Sequence, residues 1–188
     1  MNGRGRYSVG GLSTVPASER PDLLAAATLE VLGRAGLMDA VGVVEIDPAI
    51  SDTAATQEAF GLDARSLANC VVVSGKREGE ERFAACVVLS ITRADVNGVV
   101  KRRLDVRKAS FLPVERAVEL TGMEYGGITP IGLPREWPVL VDRLVAEAGV
   151  VVIGSGVRRS KILVPGQVLG TLAGAAVVEG LGVVPASS

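Results

Sequence analysis

Cys70 and Cys86 are the only thiols in the chain, and no histidine exists to activate either. The missing imidazole removes Ser-His-Asp and Cys-His catalysis, histidine acid–base chemistry and histidine metal sites. Two cysteines cannot build a four-thiolate zinc site, so neither a metal nor a cofactor is expected. Cys86 shares a strand face with Ala84 and Val88 and reads as a small buried hydrophobe. Cys70 would need a Lys, an Arg or a helix N-terminus beside it to become a thiolate nucleophile. Both thiols therefore read as structural.

The chemistry that remains belongs to backbone and to basic side chains. EYGGITPIGLP, Glu124 to Pro134, places three glycines and two prolines among bare apolar residues. A surface turn needs one such residue. Several glycines let backbone approach something closely, and prolines fix the path. A second bare turn, Gly154-Ser155-Gly156, ends the run VVVIGSG. Arg159 stands where a dinucleotide fingerprint needs its third glycine, and no G-K-[ST] completes a P-loop. Ser155 lies in no nucleophile elbow. The turn is either a tight strand exit or a set of bare backbone donors facing a ligand. Lys101, Arg102, Arg103, Arg107 and Lys108 crowd one stretch around Asp105, and Arg158, Arg159 and Lys161 follow the GSG turn. Such runs are solvated faces or contacts to a phosphate backbone.

The elements that must position these residues alternate along the chain. Met1 to Arg20 is expected to fray as a flexible tail, with one domain over 21–180. PDLLAAATLEVLGRAGL has helical spacing, and Val41 to Ile46 is a β-branched strand. SDTAATQEAFGL is a helix capped at Ser51 or Asp52 and ended by Gly61. NCVVVS and RFAACVVLSI form a hairpin across GKREGEE. VNGVVKRRLD and VERAVELTG are helical, with SFLP a short strand between them. After the glycine-proline loop come strand WPVLVD, helix DRLVAEAG, strands VVVIGSG and SKILVP, and a last helix PGQVLGTLAG. The fold class is α/β: a single compact domain with a mixed sheet flanked by helices.

Composition bounds the setting. The 188 residues are 48% hydrophobic and 3% aromatic, so Val, Leu, Ile and Ala build the core. The net charge of −1 gives no global attraction to a polyanion, so any nucleic-acid contact must be local. No export signal and no apolar run near the ~18 residues of a membrane span are seen, which fits a cytoplasmic protein.

Several segments together resemble the YbaK/EbsC family of aminoacyl-tRNA deacylases, which includes the editing domain of bacterial prolyl-tRNA synthetases. They are DTAATQEAFGLDARSLANCVVV, ADVNGVVKRRLDVRKASFLPVERAVELTGMEYGGITPIGLP with its G-x-x-P-x-G loop, WPVLVD, and VVVIGSGVRRSKILVP. The resemblance spans about Thr53 to Leu172. It implies a strongly curved mixed sheet and hydrolysis of the ester of mischarged tRNA, with alanine or cysteine on proline tRNA as the typical substrate. Gly127, Thr129, Pro130 and Gly132 would line the aminoacyl pocket. Asp142, Gly154 and Ser155 match positions around the same cleft. Cys70, Lys101, Ile128 and Gly156 complete the expected substrate-binding set, and Arg102, Arg103, Arg107, Lys108, Arg158 and Arg159 would meet the tRNA backbone. The partner implied is aminoacyl-tRNA, with an aminoacyl-tRNA synthetase as a further one.

One position departs from the family pattern. Where the resemblance implies a substrate-positioning lysine before the first core strand, this chain has Asn69. Asn69 would then orient the substrate by hydrogen bonding alone. Three alternatives stay open: a different substrate, another cation such as Lys101 in the lysine's place, or lost hydrolysis. Two rival functions go with them, a binding module without turnover and a hydrolase of a small ester or nucleotide unconnected to tRNA.

Overall fold

The computed structural model describes residues 4–185. Its N-terminal stretch differs from the fraying tail expected for Met1 to Arg20, of which Met1, Asn2 and Gly3 lie outside the described residues. Strands β1 (Ser8–Val9) and β2 (Leu12–Ser13) pair with each other, and β3 (Val15–Pro16) joins a larger sheet. The Thr14 hydroxyl accepts from the Tyr7 amide and donates to the Gly5 carbonyl, both at 2.8 Å, while the Tyr7 hydroxyl donates to the Ala40 carbonyl at 2.7 Å. Leu12 and Ala17 are fully buried. Composition alone hid these anchors, because each is one residue in a Gly- and Ser-rich run.

Helix α1 (Ala26–Ala35) ends at left-handed Gly36 and presents Thr28 and Leu32 to the core. Strand β4 (Gly42–Glu45) follows. Helix α2 (Thr53–Phe60) starts where the Asp52 carboxylate accepts from the Ala55 amide at 2.9 Å, and it stops at Gly61. The hairpin is present as β5 (Ala68–Arg77) and β6 (Glu80–Leu89). Its turn is the two residues Glu78 and Gly79, both with positive φ (53° and 87°), the geometry that matches strand twist in tight hairpins. Strand β7 (Arg93–Ala94), a π-helical turn over Val96–Val100, α3 (Lys101–Leu104), β8 (Ala109–Phe111) and α4 (Val114–Thr121) lead to the glycine-proline loop. Beyond it lie β9 (Val139–Asp142), α5 (Arg143–Ala146), β10 (Val150–Gly154) and β11 (Ser160–Pro165). The expected last helix is a single turn, α6 (Gly166–Leu169), and the chain then forms β12 (Ala175–Val178) and β13 (Gly182–Val183).

Two sheets result. One is five-stranded and mixed, in the order β12-β9-β6-β5-β8, with β12, β9 and β6 parallel and β6-β5-β8 antiparallel. The other is antiparallel, in the order β10-β11-β4-β3. A parallel bridge between Leu67 and Val152 links them just before β5 begins. Period-two alternation decides which side chains meet. Ala85, Val87 and Leu89 join Val43, Val151, Ile153, Ile162 and Val164 in the core between the sheets. Ala84, Cys86 and Val88 face the opposite cluster with Val73, Val100 and Leu104, on the face their spacing foretells. The molecule is a single mixed α/β domain, and the seam between its sheets opens onto a pocket.

Candidate functional site

The pocket holds about 400 Å³. The first residues of β5, Ala68 to Val72, form its floor, and the start of α2 (Asp52, Thr53, Thr56) forms one wall. Tyr125, Gly126 and Ile128 of the glycine-proline loop stand opposite, with Phe111 and Leu112 at one end and Gly154 and Lys161 at the other. Asn69 and Cys70 lie on the floor, so the departure from the family pattern falls inside the pocket. The Asn69 carbonyl oxygen accepts from the Thr53 hydroxyl at 2.6 Å, which turns its amide nitrogen into the free end. Burial pushes the Cys70 thiol well above its ordinary range, with Cys86 behind it adding to the effect, and pushes Cys86 up to about 12. Burial thus favours the protonated thiol at both positions, and Cys70 contributes apolar floor.

None of Gly127, Thr129, Pro130 and Gly132, the four loop residues expected to line the aminoacyl pocket, lines this cavity; their neighbours Gly126 and Ile128 do. Gly127 is bare because backbone meets backbone there. A Cβ on it would come within 2.6 Å of the Val157 carbonyl oxygen, and one on Gly154 within 2.4 Å of the Gly127 oxygen. The Gly156 amide donates to the Gly127 carbonyl at 2.7 Å, and the Glu124 amide donates to the Gly156 carbonyl at 2.9 Å. Gly132, at φ 98°, presses against the first turn of α1, where Thr28 donates to the Ile131 carbonyl at 2.9 Å. Thr129 is fully buried, and its hydroxyl has no partner among the described residues. Pro130 and Gly132 line a separate cavity of about 440 Å³ beside Leu37 and Trp137. The loop's glycines thus serve packing, which holds Gly126 and Ile128 at the pocket. Neither amide of these two finds an acceptor among the described residues.

Four further residues expected at the site lie outside this pocket. Asp142 is buried outside the pocket: it caps α5 by accepting from the Leu144 amide at 2.8 Å and also accepts from the Gly182 amide. Ser155 bonds the Ser160 hydroxyl at 2.7 Å and locks the GSG turn, while Gly156 packs on Ala25. Lys101 is also absent from the pocket. Ala109, just past the basic run, lies opposite Gly75, six residues along β5 from Asn69, or about 20 Å. Arg102 and Arg103 line a shallow cavity with Glu179, and Arg107 and Lys108 are exposed. Arg159 contacts Asp22. Arg158 clamps the pocket rim, donating to the Tyr125 carbonyl (2.9 Å) and the Pro48 carbonyl (2.8 Å), with its guanidinium 5.7 Å from the Tyr125 ring centroid.

The residue that sequence reasoning left among a basic group is Lys161. It is 6% exposed, lies opposite Gly154 in the β10–β11 ladder, and reaches into the pocket end. Its Nζ donates to the Ser51 carbonyl at 2.5 Å and the Gly126 carbonyl at 3.2 Å. Burial lowers its pKa from 10.5 to about 8; Asp52 acts to raise it and Arg158 to lower it. The available signal was a charge inside the apolar strand SKILVP.

Among the described residues no helix is long and apolar enough to cross a membrane, and no group of three potential His, Cys, Asp or Glu metal ligands occurs. Residues 47–172 match the aminoacyl-tRNA editing domain. Among solved structures, the hypothetical protein APE2540 is similar at 20% identity, over 84% of this chain and 99% of that one, with a TM-score of 0.72. A candidate trans-editing enzyme for prolyl tRNA synthetase is similar at 22% identity, over 83% and 97%, with a TM-score of 0.65. These two likenesses establish the shared fold. No curated protein matches.

Proposed function

We propose that this protein, which belongs to the aminoacyl-tRNA editing domain family, is a deacylase that hydrolyses the ester of mischarged tRNA in trans. The observation that carries the reading is a pocket lined by Gly126 and Ile128, whose amides find no acceptor among the described residues, together with Asn69, whose carbonyl oxygen alone is held by Thr53. Ester hydrolysis places negative charge on the former carbonyl oxygen, and preorganised amide donors stabilise that charge. Water attacks the carbonyl carbon, the bond to the ribose oxygen breaks, and the proton released by water ends on that ribose oxygen. Free amino acid and tRNA leave.

The apolar floor around Cys70 and Val72 suits a small side chain such as that of alanine or cysteine. Selection there is steric, because one methylene is worth only ~1–3 kcal/mol in binding. Two of the few aromatic residues, Phe111 (47% exposed) and Tyr125 (57% exposed), flank the mouth and suit stacking of a terminal base. The exposed Arg102, Arg103, Arg107 and Lys108 would meet the phosphate backbone farther along the tRNA. Asn69, lacking a charge, also favours a second reading, in which the pocket binds the aminoacyl end without turning it over. A deacylation screen over a panel of mischarged tRNAs at high protein concentration tests the proposal. Release of free amino acid from at least one member is expected. Salt-sensitive tRNA binding with no release across the panel selects the binding module instead.

A further inference from the structure

We propose that Lys161 is the pocket's substrate-binding cation, holding the carbonyl oxygen of the bound ester and the negative charge that oxygen acquires on attack. This assignment rests on the deacylase reading and names the group in it that bears charge.

Lys161 arrives from β11, across the pocket from β5, where Asn69 leaves the floor uncharged. An ammonium has three donors. Two are taken by the Ser51 and Gly126 carbonyls, so the third is left for whatever occupies the pocket that Lys161 lines. Burying a cation without a paired anion is costly, and chains keep one only where a ligand or a proton equilibrium uses it. No carboxylate forms an ion pair with Lys161 among the described residues. The charged groups that face it are Asp52, at the cap of α2, and Arg158, on the turn between β10 and β11. Asn69 on β5 and the loop backbone at Gly126 are uncharged.

A second, independent feature lies beside it. The Ser51 hydroxyl is fully buried and has no partner among the described residues, and it stands 2.7 Å from where a Gly126 Cβ would be. The carbonyl of the same residue holds Nζ. Beside the lysine's unused donor the fold thus leaves an unsatisfied hydroxyl just behind the pocket wall at Gly126. The Gly126 amide, which also finds no acceptor among the described residues, belongs to that wall.

The test compares wild type with Lys161→Gln and Lys161→Met. Glutamine keeps amide donors for the two carbonyls and loses only the charge, so it separates charge from tethering if the methionine variant fails to fold. The probe is a phosphonate analogue of alanyl-adenosine, whose anionic tetrahedral group stands for the attacked ester. Titration should show Lys161→Gln binding it at least ~10-fold more weakly than wild type, and kcat for deacylation falling ~100-fold, the size of a lost oxyanion contact, with KM little changed. After subtraction of spontaneous hydrolysis, the wild-type rate should decline as pH rises through about 8, where the ammonium loses its proton, and Lys161→Gln should lose that limb. Equal phosphonate binding by wild type and Lys161→Gln, or no binding by either, overturns the assignment. Lys161-dependent phosphonate binding with no release of amino acid from any charged tRNA supports the assignment and refutes the deacylase reading.

Discussion

Replacing Lys161 by methionine should change how the stability of the protein depends on pH. In the folded chain the lysine titrates near 8, against 10.5 when free, and burial is the main cause. The folded state therefore disfavours the charged form, at a cost of roughly 3 kcal/mol while the ammonium stays protonated in both states. That cost is fully present below about pH 8. It fades as pH rises toward 10.5, because there the unfolded chain still binds a proton that the folded chain has released. Lys161→Met carries no such term. At pH 7 the two proteins should differ little, since the variant escapes the charge cost but strands the Ser51 and Gly126 carbonyls, worth ~1–3 kcal/mol each when buried. Between pH 7 and 9.5 wild type should gain about 2 kcal/mol on the variant. Urea unfolding of both proteins at several pH values measures this, and other titrating groups cancel in the difference. A difference that is flat with pH would refute the argument, since the ammonium would then be as well solvated folded as unfolded.

Other substitutions probe the remaining parts of the site. Gly127→Ala should destabilise the fold by ~1–3 kcal/mol in urea, because its methyl meets the Val157 carbonyl at 2.6 Å; an unshifted midpoint would mean the two loops are not in contact. Asp142→Ala should lower stability by ~1 kcal/mol or more through the lost α5 cap while leaving kcat/KM intact; a selective loss of kcat/KM would return Asp142 to the site. Asn69→Lys should tighten phosphonate binding, since it adds a second ammonium to the pocket that holds the anion, and in the double variant Asn69→Lys/Lys161→Gln it should restore part of the binding that Lys161→Gln alone loses. A double variant that binds no better than Lys161→Gln would show that the two positions do not share a ligand.

Much of this architecture is legible in the sequence because it rests on local rules. The β5–β6 hairpin, the alternation that puts Ala84, Cys86 and Val88 on one face, and the helix stops at Gly61 and Gly122 each follow from neighbours in the chain. The place of the glycine-proline loop at the pocket was also legible, but not which of its residues face in. Gly127 and Gly132 are bare because of Val157 and α1, which lie about 30 and 100 residues away in sequence, and no local pattern reports such contacts. The N-terminal strands escaped notice because a few long-range bonds from Tyr7 and Thr14 hold them. β12 was missed because AAVV becomes a strand only by pairing with β9. Lys161 was visible as a charge, yet its burial depends on Gly154 beside it and on the carbonyls of two distant loops.

The central claim is that the pocket at the start of β5 receives the aminoacyl end of tRNA. Filling that pocket while leaving its neighbour open tests it most directly. Ile128→Trp places an indole in the pocket, and Leu133→Trp places one in the separate cavity beside Trp137. Release of amino acid from alanyl- and cysteinyl-tRNA would be followed for both variants and wild type, with melting curves to confirm folding. The account predicts turnover by wild type and Leu133→Trp, and loss of most of it in folded Ile128→Trp. Undiminished turnover by Ile128→Trp, with loss in Leu133→Trp, would place the site on the other side of the loop and contradict it.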